Sequence, residues 1–242
     1  MKKIVIFYHV YLYGPNYMDL IIEQFRRINN HPQDLLKCAD KLCVGVVDTT
    51  TKKPPWGIEW LEKTLLGTNS SKNPEPNPKV ELVVYPKSME EAETLKWIKN
   101  YSQNNPGDFV LYFHTKGITH NNQAVTDWRR YMEYFVLDKW RDCIAKLKEG
   151  YDCCGVLWNT DTPIGIWPHF SGNFWWATTD YINTLNHNYL EMEWRYYREF
   201  WIGSNPNAKV FEFHNSGYNT KDRLIAGQGH YNVTYPEKNY IV

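Results

Sequence analysis

Four residues that could take part in binding or catalysis directly follow the apolar run FVLYF at 109–113: His114, Thr115, Lys116 and Gly117. The run has the length of a buried strand, and open α/β sheets bind their ligands beyond the carboxyl ends of strands. An ammonium group there can bind an anionic ligand, and a glycine lets the ligand approach the backbone closely. The sequence therefore predicts a binding site at this point. The alternative is a strand that ends at the surface and leaves its lysine in water.

The elements that would position this site follow an alternating pattern along the chain. Apolar segments of strand length alternate with segments of helical period, which is typical of an α/β domain. Most apolar segments are continuous runs, so we expect a sheet covered by helices on both faces. The predicted strands are IVIF at 4–7, LCVGVV at 42–47, VELVV at 80–84, FVLYF at 109–113, CCGVL at 153–157, NFWWA at 173–177 and KVFEF at 209–213.

Helical spacing is clearest in three segments. The first carries apolar residues over 20–28. Ser88 and Glu91 form a capping-box pattern that predicts the start of the second helix. The third segment is predicted to be one long helix that begins at about Thr126 and is ended by Gly150.

Length and composition predict a single domain over 1–242 with a sizeable core. The chain has 242 residues, and its polar segment at 67–78 is interpreted as an exposed loop inside the domain. Its 27 basic and 27 acidic side chains give no electrostatic basis for binding nucleic acid or an anionic membrane. No apolar stretch is long enough to cross a bilayer, and the five cysteines show no disulfide framework, so we expect a cytoplasmic protein. The oligomeric state stays open.

Four motifs occur in a fixed order: YFHTKG at 112–117, DWRRYMEYFV at 127–136, HFSGNFWWA at 169–177 and REFWIG at 198–203. In this order they resemble glycosyltransferases of large DNA viruses and bacteria, of the chlorella virus rhamnosyltransferase type. They are more distantly similar to the rhamnan synthesis proteins with their HTK motif. The likeness covers nearly the whole chain, from IFYHVY near the start to HNSGY at 214–218.

This resemblance implies a GT-A fold, whose Rossmann-like sheet is mixed and mostly parallel and is flanked by helices. It implies an enzyme of the hexosyltransferase class, which moves a sugar from a nucleoside-diphosphate sugar to a hydroxyl of a glycan acceptor. The donor is expected to be of the UDP or dTDP type, with rhamnose suggested as the sugar and inversion as the outcome. The resemblance also divides the domain into a donor-binding half at about 1–120 and an acceptor-binding half at about 121–242.

The ends of the first two strands supply further candidates for donor binding. In a GT-A donor site the first strand end receives the base and ribose, which implies Tyr8 and His9, and Asp48 closes the second strand. A structural Tyr-His pair and an ordinary turn aspartate remain open as alternatives. Trp128 and Arg129 begin the helix predicted after HTKG, where a helix N-terminus would favour phosphate, although Trp128 could serve packing alone.

Metal binding is the point at which this sequence departs from the family pattern. Many GT-A enzymes end the corresponding strand in Asp-x-Asp, whose carboxylates hold Mn²⁺ or Mg²⁺, whereas this chain has His-Thr-Lys. We therefore expect no metal requirement, with Lys116 and Arg129 neutralising the leaving diphosphate and His214 as a further contact. If a cation does bind, the candidate ligands are His114, Asp161 and His214.

The motif HFSGNFWWA supplies the predicted acceptor site. Small polar groups suit sugar hydroxyls, and aromatic rings suit the apolar faces of sugars. The candidates are His169, Ser171, Gly172, Asn173, Trp175 and Trp176. Strand alternation places at least one face of the aromatic run in the core, so we expect one tryptophan inside and one near the acceptor.

Glu199, within EWRYYREFWIG, is the candidate base for the acceptor hydroxyl. Neighbouring aromatic residues would raise the pKa of its carboxyl toward a useful range. Those neighbours are Trp194, Tyr197, Phe200 and Trp201. The alternative is a solvated acid, or one paired with Arg195 or Arg198.

Two other classes of function remain open. A carbohydrate-binding module without catalysis would keep the aromatic residues but would not need Lys116 beside an acid. A metallohydrolase could use the eight histidines, but neither an H-x-H nor an H-E-x-x-H spacing is present.

Overall fold

The computed structural model describes residues 2–14, 16–29, 34–48, 56–66, 79–86, 91–120, 122–165 and 167–241. The predicted capping residue Ser88 and the predicted loop at 67–78 lie outside the described residues. Within these ranges, no helix combines the length and the apolar composition that a membrane crossing requires.

The described strands form one large sheet and one small sheet. In chain order they are β1 (Ile4–Leu12), β2 (Lys41–Asp48), β3 (Val80–Tyr85), β4 (Phe109–His114), β5 (Cys153–Gly155), β6 (Trp158–Asn159), β7 (His169–Phe170), β8 (Trp175–Thr178) and β9 (Val210–Glu212). The large sheet has seven strands in the order β3-β2-β1-β4-β8-β5-β9, and β6 pairs with β7 separately. Each strand of the large sheet overlaps one of the seven predicted runs.

Strand direction in the large sheet is mostly parallel. β8 runs antiparallel to both of its neighbours, β4 and β5, and every other neighbouring pair is parallel. The strands at the centre are buried on both faces by two hydrophobic clusters. The predicted α/β class, with a mixed and mostly parallel sheet flanked by helices, is therefore confirmed, and it is compatible with a Rossmann-like fold.

Nine described α-helices accompany the sheet. They are α1 (Tyr17–Asn29), α2 (Leu35–Cys38), α3 (Trp56–Leu66), α4 (Ala92–Asn104), α5 (Gln123–Glu133), α6 (Trp140–Lys148), α7 (Thr179–Ile182), α8 (Tyr196–Phe200) and α9 (Lys221–Ile225). α1 covers the segment predicted to be helical over 20–28, and α4 is the helix whose start the capping-box pattern predicted.

The single helix predicted from Thr126 to Gly150 is wrong in two respects. It begins earlier, because the side chain of Asn122 accepts a hydrogen bond from the backbone of Val125 and caps α5. It is also interrupted by a π-helical turn at Tyr134–Asp138, and α6 follows. The wider turn leaves a carbonyl available inside the core, and the buried indole of Trp176 donates to Val136 O at 2.8 Å.

The strand order reverses beside β1. The chain passes from β1 outward through β2 to β3 and then returns to place β4 on the other side of β1. In open α/β sheets, such a reversal leaves a crevice outside the carboxyl ends of the two strands, and ligands bind there. Here those ends carry His9 to Leu12 and His114 to Gly117.

Candidate functional site

A cleft of about 340 Å³ lies at this crevice. β1 and the turn after β4 supply one part of its lining, and the carboxyl-terminal part of the chain supplies another. The residues that matter for its chemistry are His9, Glu91, His114, Lys116, Arg195, Glu199 and Tyr231. The structure thus brings together residues from both of the halves that the sequence divided at about position 120.

Lys116 lies in an aromatic cage formed by Trp128 and Tyr231. Its Nζ is 4.2 Å from the centroid of the Trp128 ring and 5.2 Å from that of Tyr231, and it donates a hydrogen bond to the Tyr231 hydroxyl at 3.2 Å. Burial lowers the pKa of this ammonium, but the Tyr231 hydroxyl and the Glu199 carboxylate outweigh burial and raise it. The cleft therefore presents a fixed cation at the end of β4, where the sequence placed it.

His9 and His114 line the cleft as neutral imidazoles. Burial, with the charge of Lys116, lowers the pKa of His114 to about 4, and burial lowers that of His9 to about 3. His114 Nε2 is 2.9 Å from the carbonyl of Gly172, so this nitrogen carries the proton. His9 Nδ1 is 2.9 Å from the Thr94 hydroxyl on α4. Both rings can exchange hydrogen bonds with a ligand without adding charge to the cleft.

Thr115 and Gly117 shape the turn that presents Lys116. Thr115 Oγ1 accepts a hydrogen bond from Tyr11 N at 2.9 Å, which ties the end of β4 to the end of β1. Gly117 has φ +86°, and a Cβ at this position would overlap the side chain of Val125. A residue other than glycine would therefore displace the turn from α5, so the glycine is required by backbone and packing together.

Glu91 is a cleft residue that sequence reasoning missed as a functional candidate. It lies at the amino end of α4, and its Oε2 accepts hydrogen bonds from the Tyr112 hydroxyl at 2.6 Å and from Asn173 Nδ2 at 3.1 Å. Burial raises the pKa of the carboxyl, and these two hydrogen bonds lower it only in part. The only sequence signal was its helix-capping pattern, because its two partners are 21 and 82 residues away.

Glu199 lines the same cleft as Lys116, from α8. Of the predicted aromatic neighbours, Phe200 and Trp201 are buried, whereas Trp194 is 39% exposed. Arg195 also lines the cleft and is exposed, and its Nη2 donates to the Tyr196 hydroxyl at 3.4 Å. The structure therefore places a carboxylate within the electrostatic reach of the caged lysine.

Tyr8 does not face the cleft. Strand alternation turns it to the face opposite His9, where its hydroxyl donates to Gln24 Oε1 at 2.7 Å and its ring stacks on Phe113 at 4.4 Å. The side chain is 1% exposed. Tyr8 is therefore a buried residue outside the cleft lining, whereas His9 lines the cleft, so the two members of the predicted Tyr-His pair are separated.

Arg129 also departs from its predicted role. It is 4% exposed, its Nη1 donates to both carboxylate oxygens of Glu133 at 2.7 and 3.0 Å, and its Nη2 donates to Glu23 at 2.8 Å. A guanidinium held by two carboxylates inside the fold does not supply a second cation to the cleft. The preceding residue along the chain, Trp128, contributes to the site through its ring, which contacts the ammonium of Lys116.

Three other predicted residues lie outside the cleft lining. Asp48 ends β2, where burial and the charge of Asp48 raise the pKa of Tyr17. His214 has its Nδ1 2.8 Å from the Tyr131 hydroxyl. Asp161 lines a separate pocket of about 360 Å³ and lies 3.4 Å from the ammonium of Lys221.

The predicted acceptor motif is divided between the cleft wall and the core. The carbonyl of Gly172 and the amide of Asn173 hold His114 and Glu91, so both residues support the cleft from behind. His169 donates from Nδ1 to the carbonyl of Trp167 at 2.6 Å, and Ser171 Oγ lies 3.5 Å from His169 Nε2. Both residues are buried.

Trp175 and Trp176 are both completely buried, contrary to the expectation that one would lie near the acceptor. Trp175 donates to Asn173 Oδ1 at 2.9 Å, and Trp176 donates to the carbonyl of Val136. The reason is the place of β8 between β4 and β5, because helices cover both faces of a strand at the centre of this sheet.

Metal ligands do not gather in the described part of the chain. Among these residues, no group of three or more His, Cys, Asp or Glu side chains is placed to hold a metal ion. The three fallback candidates are dispersed: His114 donates to a backbone carbonyl in the cleft, while Asp161 and His214 lie elsewhere.

The fold and the cleft define an α/β protein with a polar cleft where the strand order of its sheet reverses. A family model described as "Domain of unknown function (DUF8361)" matches residues 7–191. Since this match covers more than half of the chain, the chain belongs to that family. No curated protein matches the chain. The matched segment contributes His9, Glu91 and the residues after β4, whereas Arg195, Glu199 and Tyr231 lie beyond its end.

Proposed function

We propose that this protein is a glycosyltransferase that moves a sugar from a nucleoside-diphosphate sugar to a hydroxyl of a glycan acceptor. The observation that carries the proposal is the caged ammonium of Lys116 beside the Glu199 carboxylate in one cleft. The cleft lies where the strand order of an open α/β sheet reverses, which is a common place for nucleotides to bind. The seven-stranded sheet is compatible with the GT-A fold that the sequence motifs imply.

Lys116 is assigned to the diphosphate of the donor. When the bond to the sugar breaks, negative charge builds up on the leaving diphosphate, and a cation already in place stabilises that charge. Trp128 and Tyr231 hold the ammonium without neutralising it, since neither partner carries a full charge. Lys116 can therefore do the work that a divalent metal does in enzymes with Asp-x-Asp, and Mn²⁺ or Mg²⁺ is not required.

Glu199 is assigned as the base that takes the proton of the acceptor hydroxyl. A proton acceptor must lie within reach of the reacting hydroxyl and must be unprotonated at the working pH. Glu199 meets the first condition for an acceptor bound beside Lys116, because both residues line the same cleft. Direct attack by an activated acceptor hydroxyl inverts the configuration of the sugar.

Ligand-dependent unfolding tests the first part of this proposal. Uridine diphosphate, thymidine diphosphate and guanosine diphosphate are added separately, and thermal unfolding is followed. At about a hundred times its Kd, a ligand that binds the native state raises the free energy of unfolding by roughly 2.7 kcal/mol. If none of the three stabilises the protein, the proposal fails.

Release of diphosphate separates an enzyme from a sugar-binding module. The purified protein is incubated with UDP-glucose or dTDP-rhamnose, with and without a mixture of glycan acceptors, and free nucleoside diphosphate is measured. A glycosyltransferase releases it faster when an acceptor is present. A module without catalysis binds the sugar nucleotide and releases none.

A further inference from the structure

Glu91 is a carboxyl group that the fold holds in the cleft without a direct ion pair, although Lys116 and Arg198 lie within electrostatic reach of it. Within the described part of the chain it forms no salt bridge, although enclosing an unpaired carboxylate is unfavourable. Its two hydrogen bonds, from Tyr112 and Asn173, both reach Oε2. The other oxygen, Oε1, has no hydrogen-bond partner among the described residues and remains available to a ligand in the cleft.

The surrounding structure fixes the position of this carboxyl. Asn173 has φ +60°, a left-handed conformation that few residues other than glycine adopt readily, and its Oδ1 accepts from the indole of Trp175 at 2.9 Å. This bond fixes the orientation of the amide, so that its Nδ2 donates to Glu91. The second donor to Glu91 is the hydroxyl of Tyr112, which belongs to β4 and is completely buried. The fold fixes both donors, Asn173 and Tyr112, and these two donors fix the position of the Glu91 carboxyl.

The charges of the cleft match a ligand with two chemically different ends. Lys116 is cationic and attracts an anionic group. Glu91 is a carboxyl that, when ionised, repels such a group. Burial raises its pKa, and Lys116 and Arg198 offset that effect only in part. His9 and His114 in the same lining are neutral. A phosphate would be unfavourable beside Glu91, whereas an uncharged polyhydroxy group would give its hydroxyl protons to the carboxylate and exchange hydrogen bonds with the imidazoles.

We propose that Glu91, together with His9 and His114, forms a pocket for the hydroxyl groups of the transferred sugar. This inference rests on the proposed function and adds to it the site of sugar recognition. Glu91 Oε1 accepts hydrogen bonds from one or two sugar hydroxyls, while Lys116 binds the diphosphate at the other end of the same ligand. The cleft then distinguishes a nucleoside-diphosphate sugar from the nucleoside diphosphate alone.

Paired binding measurements test this assignment. Calorimetry gives the Kd of wild-type protein and of Glu91→Gln for UDP and UDP-glucose, and for dTDP and dTDP-rhamnose. Glutamine keeps the size of the side chain and can still accept from Tyr112 and Asn173. We expect Glu91→Gln to bind the sugar nucleotide about tenfold more weakly or worse, the usual effect of losing a hydrogen bond to a charged group, and to bind the diphosphate as before.

Two further variants accompany this test, one as a control and one as a second test of Glu91. Glu93→Gln changes a carboxyl two residues away on α4, which pairs with Lys96 at 3.1 Å outside the cleft lining, and it should leave both affinities unchanged. Tyr112→Phe keeps the Glu91 carboxyl but removes one of its two donors, so it should weaken the sugar nucleotide alone, by a smaller factor. It also serves as the test if Glu91→Gln does not fold.

The outcomes separate this inference from the proposed function. If Glu91→Gln and Tyr112→Phe leave sugar-nucleotide affinity unchanged, or weaken UDP and UDP-glucose equally, the assignment of Glu91 is wrong although the protein still binds nucleotides. If wild-type protein binds no nucleoside diphosphate and no sugar nucleotide, the proposed function itself is wrong.

Discussion

The ammonium of Lys116 lies over the indole ring of Trp128, 4.2 Å from its centroid. The tryptophan comes from α5 and the lysine from the turn after β4, so the contact joins the turn to the helix that follows it. An aromatic face attracts a cation but leaves its charge intact. The lysine can therefore be held in one position and still interact fully with an anionic ligand.

Replacing Lys116 with alanine should lower kcat more than it weakens donor binding. In the proposed mechanism, the ammonium acts most strongly on the charge that develops in the transition state. By comparison with the loss of one preorganised donor, the transition state should lose roughly 3 kcal/mol, or about a hundredfold in rate. Steady-state kinetics and the Kd of the donor measure the two effects. Lys139→Ala, which removes an exposed lysine over the Tyr134 ring, is the matched control.

Removal of divalent metal gives the complementary measurement on wild-type protein. If Lys116 stabilises the leaving diphosphate as proposed, activity in EDTA should equal activity without it. Activity that disappears with the chelator and returns with Mn²⁺ would contradict the metal-free mechanism and would leave Lys116 as an auxiliary phosphate contact.

Glu199→Gln should abolish most turnover without loss of donor binding. A positioned proton acceptor contributes roughly 10²–10⁴ to kcat, and glutamine cannot accept the proton. The Kd for nucleoside diphosphate should stay close to that of wild type. Glu193→Gln, an exposed carboxyl six residues earlier, is the control and should have normal kinetics. Near-normal turnover by Glu199→Gln would remove Glu199 from the role of base.

Arg129→Ala should destabilise the fold strongly, whereas Arg130→Ala should not. Both side chains pair with Glu23, but that of Arg129 is 5% exposed and also holds the fully buried Glu133, while that of Arg130 is 39% exposed. Loss of Arg129 leaves the buried Glu133 with Arg27, at 3.3 Å, as its remaining ion-pair partner, and should cost up to about 3–5 kcal/mol. Loss of the exposed pair should cost about 0–1 kcal/mol. Urea unfolding measures both, and equal losses would contradict the structural role of Arg129.

His230 should make the fold less stable as the pH falls. It is completely buried and stacks on Trp128 and Tyr131, and burial lowers its pKa to about 4. An unfolded histidine titrates near about 6.5, so between these values the unfolded chain binds a proton that the folded chain does not. The free energy of unfolding therefore falls as the pH is lowered through this range.

The size of this effect is measured against His230→Phe, which keeps a ring at this position and cannot titrate. Between about pH 7 and about pH 5, wild type should lose ~2 kcal/mol more of its unfolding free energy than the variant does. His9 and His114 titrate in both proteins and cancel in the comparison. If the unfolding free energies of the two proteins change equally with pH, His230 does not gain a proton on unfolding.

The sheet and the place of the cleft could be predicted from the sequence, because both depend on local patterns. Continuous apolar runs specify buried strands, and the polar HTKG turn directly after one of them marks a carboxyl strand end. Lys116 is therefore where the sequence placed it. Whether Glu199 is the base and whether a nucleotide sugar is the ligand remain predictions.

The failures have a common cause in long-range packing. Nothing local shows that β8 inserts between β4 and β5, and this position buries both Trp175 and Trp176. Glu23, which pairs with Arg129, is 106 residues away along the chain. The i,i+4 spacing of Arg129 and Glu133 was visible in the sequence and could have indicated an internal ion pair.

The insertion of β8 also makes the cleft depend on a strand from a later part of the chain. In chain order, β5 is the next strand of the large sheet after β4, but the two strands do not pair. β8, which comes later in the chain than both, lies between them. Gly172 and Asn173, which lead into β8, hold His114 and Glu91 in the cleft. A chain in which β8 has not paired with β4 therefore has an incomplete cleft. A ligand that needs these contacts binds only the sheet with β8 in place and stabilises that state by mass action.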